Sequence, residues 1–206
     1  MDTYTLYMQD FGAMQDFGAP VGFRLMERDP DAVEAIVVQN ADAYLDGLTP
    51  ERREFFRKAH EDRGPATVAS LCERAGEDSI VNKQYLRDVR TEKRDIMSPD
   101  SRTHDLAFLR KEKDKRIQVQ PFQDYQTNID RYPAWQRLMR ERLLPELIVW
   151  GKNDPAFIAA CAEAYLRDLP DAELHLIDAG HFAVEETPEV VAGHILTFMR
   201  ARHPSP

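Results

Sequence analysis

Three short apolar runs, separated by helix-like stretches, limit most strongly what this chain can fold into. The runs cover residues 35–40, 147–150 and 173–177. Apolar runs of this length are typical of strands buried on both faces of a parallel sheet. An aromatic and β-branched run at residues 4–8 predicts one further strand at the start of the chain. Strands that alternate with helices imply parallel βαβ units with right-handed crossovers, so the predicted fold class is α/β.

The middle of the chain has a different character. Thr49 and Pro50 form a typical helix start, and no strand pattern of the buried type occurs between residues 44 and 132. Residues 111–116 are all ionic, which we interpret as a solvated surface rather than a binding face. The sequence therefore predicts a mostly helical insertion at residues 44–132 within a core formed by residues 1–43 and 133–206.

The bulk composition excludes several classes of protein. Of 206 residues, 43% are hydrophobic and 31% charged, which is typical of a globular protein. A net charge of −9 argues against nucleic acid or an anionic membrane as a partner. We interpret this charge as solubilising rather than as a means of attracting a cationic substrate. No apolar run approaches the roughly 20 residues of a membrane helix. Cys72 and Cys161 form no CxxC pattern, which favours a reducing, cytoplasmic location.

Ionisable residues follow three of the predicted strands. They are Asp10 or Asp16 after the first, Asp154 after the strand at residues 147–150, and His181 after the strand at residues 173–177. In an open parallel sheet, functional groups gather at the carboxyl ends of the strands. Taken singly, Asp154 suits a turn, His181 suits a loop, and either early aspartate could cap the following helix. No metal-ligand cluster is apparent, and no cofactor is expected.

Two early aspartates arise because residues 8–13 are repeated without change as residues 14–19. A repeat of six residues that occurs once more is far too short for a solenoid, so we interpret it as a local duplication. Asp10 has the better strand before it. Asp16 is followed directly by the glycine, alanine and proline that shape a sharp turn, and it is the preferred candidate, with Asp10 as the alternative.

Three motifs together resemble the aspartate-nucleophile branch of the α/β-hydrolase fold family, which includes epoxide hydrolases and haloalkane dehalogenases. Residues 15–22 resemble its nucleophile elbow, residues 149–155 its acid loop and residues 179–186 its histidine loop. The resemblance implies that Asp16 attacks an alkyl carbon, His181 activates water to cleave the resulting ester, and Asp154 orients His181. It also implies that the helical insertion is a cap over the active site.

The resemblance further suggests which residues contact a small-molecule substrate. Dehalogenases carry a tryptophan after the nucleophile to hold halide, whereas Phe17 has no donor there. Epoxide hydrolases protonate the epoxide oxygen with cap tyrosines, for which Tyr125 and Tyr132 are candidates, although each could equally be a packing residue. Trp150, at the end of its strand, is a further candidate contact. Epoxide hydrolysis is therefore preferred over dehalogenation.

Family members carry further strands and an oxyanion-hole loop before the nucleophile strand, and this sequence contains neither. The resemblance thus implies an N-terminally truncated form of the fold with one oxyanion donor fewer, a loss that typically lowers rates by about 10²–10³. The first strand would become an exposed edge, which favours a homo-oligomer through that strand. The alternative to an active enzyme is an impaired homologue that acts only as a structural or self-associating protein.

Overall fold

The structure, a computed structural model, describes residues 3–9 and 17–202. The four strands of the described residues form one sheet in the order β1-β2-β3-β4, and each neighbouring pair is parallel. The strands are β1 Tyr4–Gln9, β2 Val33–Gln39, β3 Glu146–Gly151 and β4 Glu173–Ile177. The predicted parallel α/β sheet is confirmed, and every predicted strand matches an observed one.

Helices account for most of the remaining described chain. They are α1 Gly18–Arg28, α2 Pro50–Glu61, α3 Pro65–Arg74, α4 Glu77–Ile80, α5 Pro99–Phe108, α6 Glu112–Asp124, α7 Gln126–Ile129, α8 Tyr132–Arg142, α9 Ala160–Tyr165, α10 Ala183–Glu186 and α11 Pro188–Arg202. Short 3₁₀ turns occur at Leu45–Gly47 and Thr91–Lys93, and a π-helical turn at Val81–Tyr85. Among the described helices, none is both long and apolar enough to cross a membrane.

The two central strands are buried on both faces, which explains their continuous apolar sequences. On one face, Ile36 and Ile148 lie in a cluster with Phe23 of α1 and Trp135 of α8, whose rings stack at 5.0 Å. On the other face, the neighbouring residues of β2 and β3 pack against Phe198 of α11. Helices therefore cover both sides of the sheet, as expected of βαβ units.

All of residues 44–132 are described, and they contain helices and turns but no strand. The first helix of this segment, α2, begins as predicted, because the Thr49 hydroxyl accepts a hydrogen bond from the Arg52 backbone N–H. Aromatic rings hold the segment together, with Phe56 stacked on Tyr125 at 4.2 Å and close to Phe122 at 5.4 Å. Residues 45–131 are referred to below as the helical segment.

One predicted helix is shorter than its sequence pattern suggested. The apolar stripe predicted a helix over residues 157–167, but α9 covers only Ala160–Tyr165. The reason lies in Asp154, whose side-chain Oδ1 accepts hydrogen bonds from the backbone N–H groups of Ala156 and Phe157. A side chain that competes for backbone N–H groups in this way favours a turn over a helix.

The first residue of β3 is an unusual one for a sheet interior. Glu146 is 2% exposed, and neither of its carboxyl oxygens has a hydrogen-bond partner within the described part of the chain. Burial raises the pKa of the Glu146 carboxyl well above its ordinary value. The carboxyl therefore binds a proton more readily in the folded protein than in water, and its burial costs stability.

Within the described residues, β1 pairs on one side only, with β2, and Tyr4 and Tyr7 on this edge strand are exposed. Self-association through β1 remains a prediction, since unpaired edge groups can pair with a second copy. We expect multi-angle light scattering to give the mass of an oligomer at micromolar concentration. A monodisperse species with the mass of one chain would contradict this expectation.

Candidate active site

The loop after β3 holds Asp154 in a fixed orientation. Its carboxylate is fully buried, and Oδ1 accepts backbone N–H groups from Ala156 at 2.7 Å and Phe157 at 3.1 Å. The loop is anchored to its neighbour after β4, because the Asn153 N–H donates to the Ala179 carbonyl at 3.0 Å. A carboxylate tied at one oxygen in this way presents its other oxygen, Oδ2, in one direction.

The Oδ2 atom of Asp154 points towards His181. The distance between His181 Nδ1 and Asp154 Oδ2 is 2.6 Å, and both residues are buried. The imidazole lies against the Phe157 ring at 5.3 Å and edge-on to the Phe182 ring at 5.0 Å. The two strand-end residues singled out from the sequence are thus brought together as an acid–histidine pair.

One position in each of the two loops requires glycine, because Gly151 lies against the histidine loop and Gly180 lies against Asp88. A methyl group at Gly151 would collide with the Gly180 carbonyl oxygen, so only hydrogen can occupy that space. The Gly180 N–H in turn donates to Glu186 Oε2 at 2.7 Å, which fixes the backbone just before His181. Glycines in both motifs therefore set the distance between the acid and the histidine.

Asn40 is a site residue that the sequence analysis missed. It follows β2 with a positive φ of 41° and donates through Nδ2 to Asp154 Oδ2 at 3.1 Å. Its Oδ1 accepts the Gly151 N–H at 2.8 Å, so one amide braces both the carboxylate and its loop. The sequence did contain a signal for Asn40, because it is a polar residue directly after a buried strand. Asparagine also tolerates this backbone conformation well.

The surroundings of Asp154 favour its ionised form. Burial alone would raise the pKa of this carboxyl, but the adjacent His181 ring and the Phe157 and Ala156 N–H groups bring it below its ordinary value. Arg87 Nη2 adds a further positive charge 3.9 Å from Oδ1. An ionised Asp154 holds the proton of His181 on Nδ1, which directs Nε2 to act as the proton acceptor.

Both nucleophile candidates, Asp10 and Asp16, lie outside the described residues. Gln9 and Gly18, the described residues nearest to them on either side, lie close together. A methyl group at Gly18 would collide with the Gln9 carbonyl oxygen. Gln9 also pairs in register with Gln39, the residue before Asn40. The carboxyl end of β1 therefore lies at the same edge of the sheet as the loops of Asp154 and His181.

A cavity of about 300 Å³ opens beside His181. The described residues that line the cavity come from both the core and the helical segment. They are Arg52, Arg74, Ser79, Lys83, Gln84, Arg87, Phe122, Ala156, His181 and Phe182. Phe122, Ala156 and Phe182 are buried and form an apolar floor. The cavity is within the size range of small-molecule sites, at its lower end.

None of the four predicted substrate contacts is among the described residues that line this cavity. Tyr125 and Tyr132 are each 1% exposed and pack against aromatic neighbours. Phe17 lies edge-on to Tyr125 at 5.4 Å. Trp150 is fully buried, and its indole N–H donates to the Phe157 carbonyl at 2.9 Å. The structure thus places Trp150 under the acid loop, where its side chain supports the loop from below.

A second missed residue, Asp88, comes from the helical segment. Its Oδ2 accepts the backbone N–H of His181 at 2.8 Å. Burial is the main cause of a raised pKa at Asp88, and nearby Asp154 adds to it. No signal in the sequence pointed to Asp88, because it lies in a charged stretch and meets His181 only through folding.

Within residues 3–9 and 17–202, no group of three or more metal-ligating side chains is present.

Comparisons with known proteins identify the family to which this fold belongs. Residues 15–188 match the family described as alpha/beta hydrolase fold. An uncharacterized hydrolase from Saccharomyces cerevisiae is 35% identical over 186 residues, which cover 88% of this chain and 63% of the yeast protein. The chain thus spans less than two thirds of that relative.

Two solved structures share the fold. A mutant of the haloalkane dehalogenase DatA from Agrobacterium tumefaciens superposes with a TM-score of 0.69 at 16% identity, covering 96% of this chain and 67% of the dehalogenase. A candidate acyltransferase from Salmonella enterica gives a TM-score of 0.71 at 14% identity, covering 98% of this chain and 65% of that protein. At such low identity the likeness concerns the fold alone.

Proposed function

Because this chain belongs to the α/β-hydrolase fold family, we propose that it is a hydrolase with an aspartate nucleophile and an epoxide hydrolase-like reaction. The observation that carries the proposal is the 2.6 Å contact between His181 Nδ1 and Asp154 Oδ2 beside a small cavity. The absence of a Gly-x-Ser-x-Gly motif from the sequence disfavours a serine hydrolase. The helical segment serves as the cap, since it supplies most of the described cavity lining.

The proposed first step forms a covalent ester. A carboxylate oxygen of Asp16 attacks an epoxide carbon, the carbon–oxygen bond breaks, and the leaving oxygen takes a proton from solvent water. The product is an alkyl ester of the aspartate. Asp16 is preferred because the glycine, alanine and proline that shape a sharp turn follow it, and the structure places this glycine, Gly18, against Gln9. Asp10 is the alternative nucleophile.

The proposed second step is hydrolysis of this ester. His181 Nε2 takes a proton from water, and the hydroxide attacks the ester carbonyl carbon. The tetrahedral intermediate collapses, and the alkyl oxygen leaves with a proton from the imidazolium. The aspartic acid that remains loses its proton to solvent, which restores the carboxylate. Asp154 stabilises the imidazolium in between, which its low pKa and buried hydrogen bonds support.

The proposal can be tested by trapping the ester. In a His181→Gln variant, the first step should proceed and the second should stall, because glutamine cannot act as the base. We expect intact-protein mass spectrometry after incubation with small epoxides, both neutral and carboxylate-bearing, to show a stable adduct of one epoxide mass. Peptide mapping should place this adduct on Asp16, and an adduct on Asp10 would assign the nucleophile to the first copy of the repeat.

The matched control is His175→Gln, which changes a histidine on β4 that stacks on His194 and does not line the cavity within its described part. This variant should hydrolyse epoxides without accumulating an ester. Trapping with primary alkyl bromides but not with epoxides would favour the dehalogenase-like alternative. A folded His181→Gln protein that forms no adduct with either class would favour the catalytically impaired homologue.

A further inference from the structure

The rim of the cavity beside His181 carries an unusual concentration of positive charge. Four of its described lining residues are cationic, namely Arg52 from α2, Arg74 from α3, Lys83 from the π-helical turn and Arg87 from the bend that follows it. No aspartate or glutamate occurs in the described lining. This local charge is opposite in sign to the −9 of the whole chain. The rim and the chain therefore attract different partners.

Arg74 is a rim cation that pairs with no carboxylate of the described residues. No carboxylate of the described residues lies within 4 Å of its guanidinium, which sits over the Phe55 ring at 4.4 Å. Partial burial and the nearby Arg52 charge lower the pKa of Arg74. Other cations of the helical segment are paired, for example Arg57 with Glu54 at 2.7 Å. Arg74 thus differs from an ordinary surface arginine.

The remaining cations surround the same opening. Arg52 lies over the Phe157 ring at 5.3 Å, and Phe157 in turn lies against the His181 ring. Arg87 approaches Asp154 Oδ1 at 3.9 Å. Lys83 pairs with the exposed Asp78 at 3.2 Å. Arg87 and Arg52 therefore lie close to the acid–histidine pair, while the buried lining of the cavity is apolar.

We propose that this cavity receives a small electrophile that carries a carboxylate, which the cationic rim binds while the reactive carbon lies towards His181. The inference rests on the proposed function, because it names the substrate class of the same site. Guanidinium groups match a carboxylate with paired, charge-assisted hydrogen bonds. A volume of about 300 Å³ suits a compact acid rather than a long chain.

Binding of unreactive probes tests the inference without requiring any chemistry. Cyclopropanecarboxylate and cyclopropanecarboxamide have nearly the same shape and differ mainly in charge. We expect isothermal titration calorimetry on the full chain to show the carboxylate binding about tenfold or more tightly than the amide, as expected for hydrogen bonds to a charged group. Arg74→Gln should reduce this preference to about threefold or less, and Arg74→Lys should retain most of it.

The matched control is Arg63→Gln, which removes an exposed arginine that pairs with Asp124 at 4.0 Å and does not belong to the described lining. This variant should keep the full preference for the carboxylate. Equal binding of the two probes, or a preference that survives in a folded Arg74→Gln protein, would overturn the inference. Tighter binding of bromide than of cyclopropanecarboxylate would also overturn it, since the rim would then hold a leaving halide.

The two proposals can fail separately. If the carboxylate probe is preferred but His181→Gln never traps an ester, the substrate class stands and the aspartate-nucleophile reaction is wrong. If a neutral epoxide is trapped while the probes bind equally, the reaction stands and the substrate class is wrong.

Discussion

Replacing Asp154 with asparagine is expected to lower the rate of ester hydrolysis by about 10⁴, the effect of such a change in acid–histidine pairs generally. The introduced amide could still accept the Ala156 and Phe157 N–H groups through its oxygen. Its NH₂ group would then face His181 Nδ1 and require a proton acceptor there. The proton would move to Nε2, and His181 could no longer take a proton from water. Ester formation does not need this base, so the ester should accumulate.

Single-turnover kinetics on the Asp154→Asn variant can check this by following the ester and the diol separately. Asp178→Asn is the matched control, because Asp178 lies near the same loops but is only half-buried and pairs with Arg90 at 2.9 Å. We expect the control to hydrolyse at close to the unmodified rate. A drop of less than about tenfold in Asp154→Asn would contradict the role assigned to Asp154.

The same variant should also show a defined pH dependence of stability. The pKa of Asp154 is lowered in the folded protein, so its ionised form stabilises the fold above the unfolded pKa of about 3.9. This contribution is lost as the pH falls through the lower, folded pKa. The difference in unfolding free energy between the unmodified chain and Asp154→Asn should therefore be full at pH 6 and shrink in strong acid.

Replacing Glu146 with methionine is expected to stabilise the protein by about 1–3 kcal/mol at neutral pH, the typical cost of leaving a buried polar group unsatisfied. Methionine has a similar length and needs no hydrogen bond. The gain should grow as the pH rises, because the pKa of Glu146 is raised in the folded state. Between the unfolded pKa of about 4.3 and the raised folded value, folding must bind a proton and loses stability with each pH unit.

Urea unfolding followed at several pH values provides the measurement. Glu146→Gln should recover the pH-dependent part of the gain, because glutamine removes the charge but keeps the unsatisfied polar group. Glu141→Met, on the exposed end of α8, is the control and should change stability by no more than about 0.5 kcal/mol. A destabilised Glu146→Met protein would show that this carboxyl has a favourable role in the sheet.

Much of the fold could be predicted because it depends on local patterns. Apolar runs located each strand, and the parallel arrangement then placed the ends of β3 and β4 side by side. Asp154 and His181 follow those ends, so their proximity was predictable from chain order and sheet geometry. No knowledge of packing in the helical segment was needed for this pair.

What could not be predicted depends on packing between distant segments. Asp88 reaches the His181 backbone only because the helical segment folds back over the sheet. The cationic rim likewise combines residues from α2, α3 and the π-helical turn, whose relative placement no periodicity reveals. The orientation of Trp150 was also hidden, because β3 is covered on both faces and alternation cannot show which side is open.

The close approach of Gln9 and Gly18 has a consequence for how this chain tolerates genetic change. Since the end of β1 and the start of α1 are already in contact, the length of chain between them can vary without moving either element. Loop closure becomes only slightly more costly as a loop lengthens. Deleting either copy of the repeated six residues would give one and the same sequence, with a single aspartate before the glycine. Replication slippage could therefore insert or remove a copy while leaving the sheet and helix framework in place.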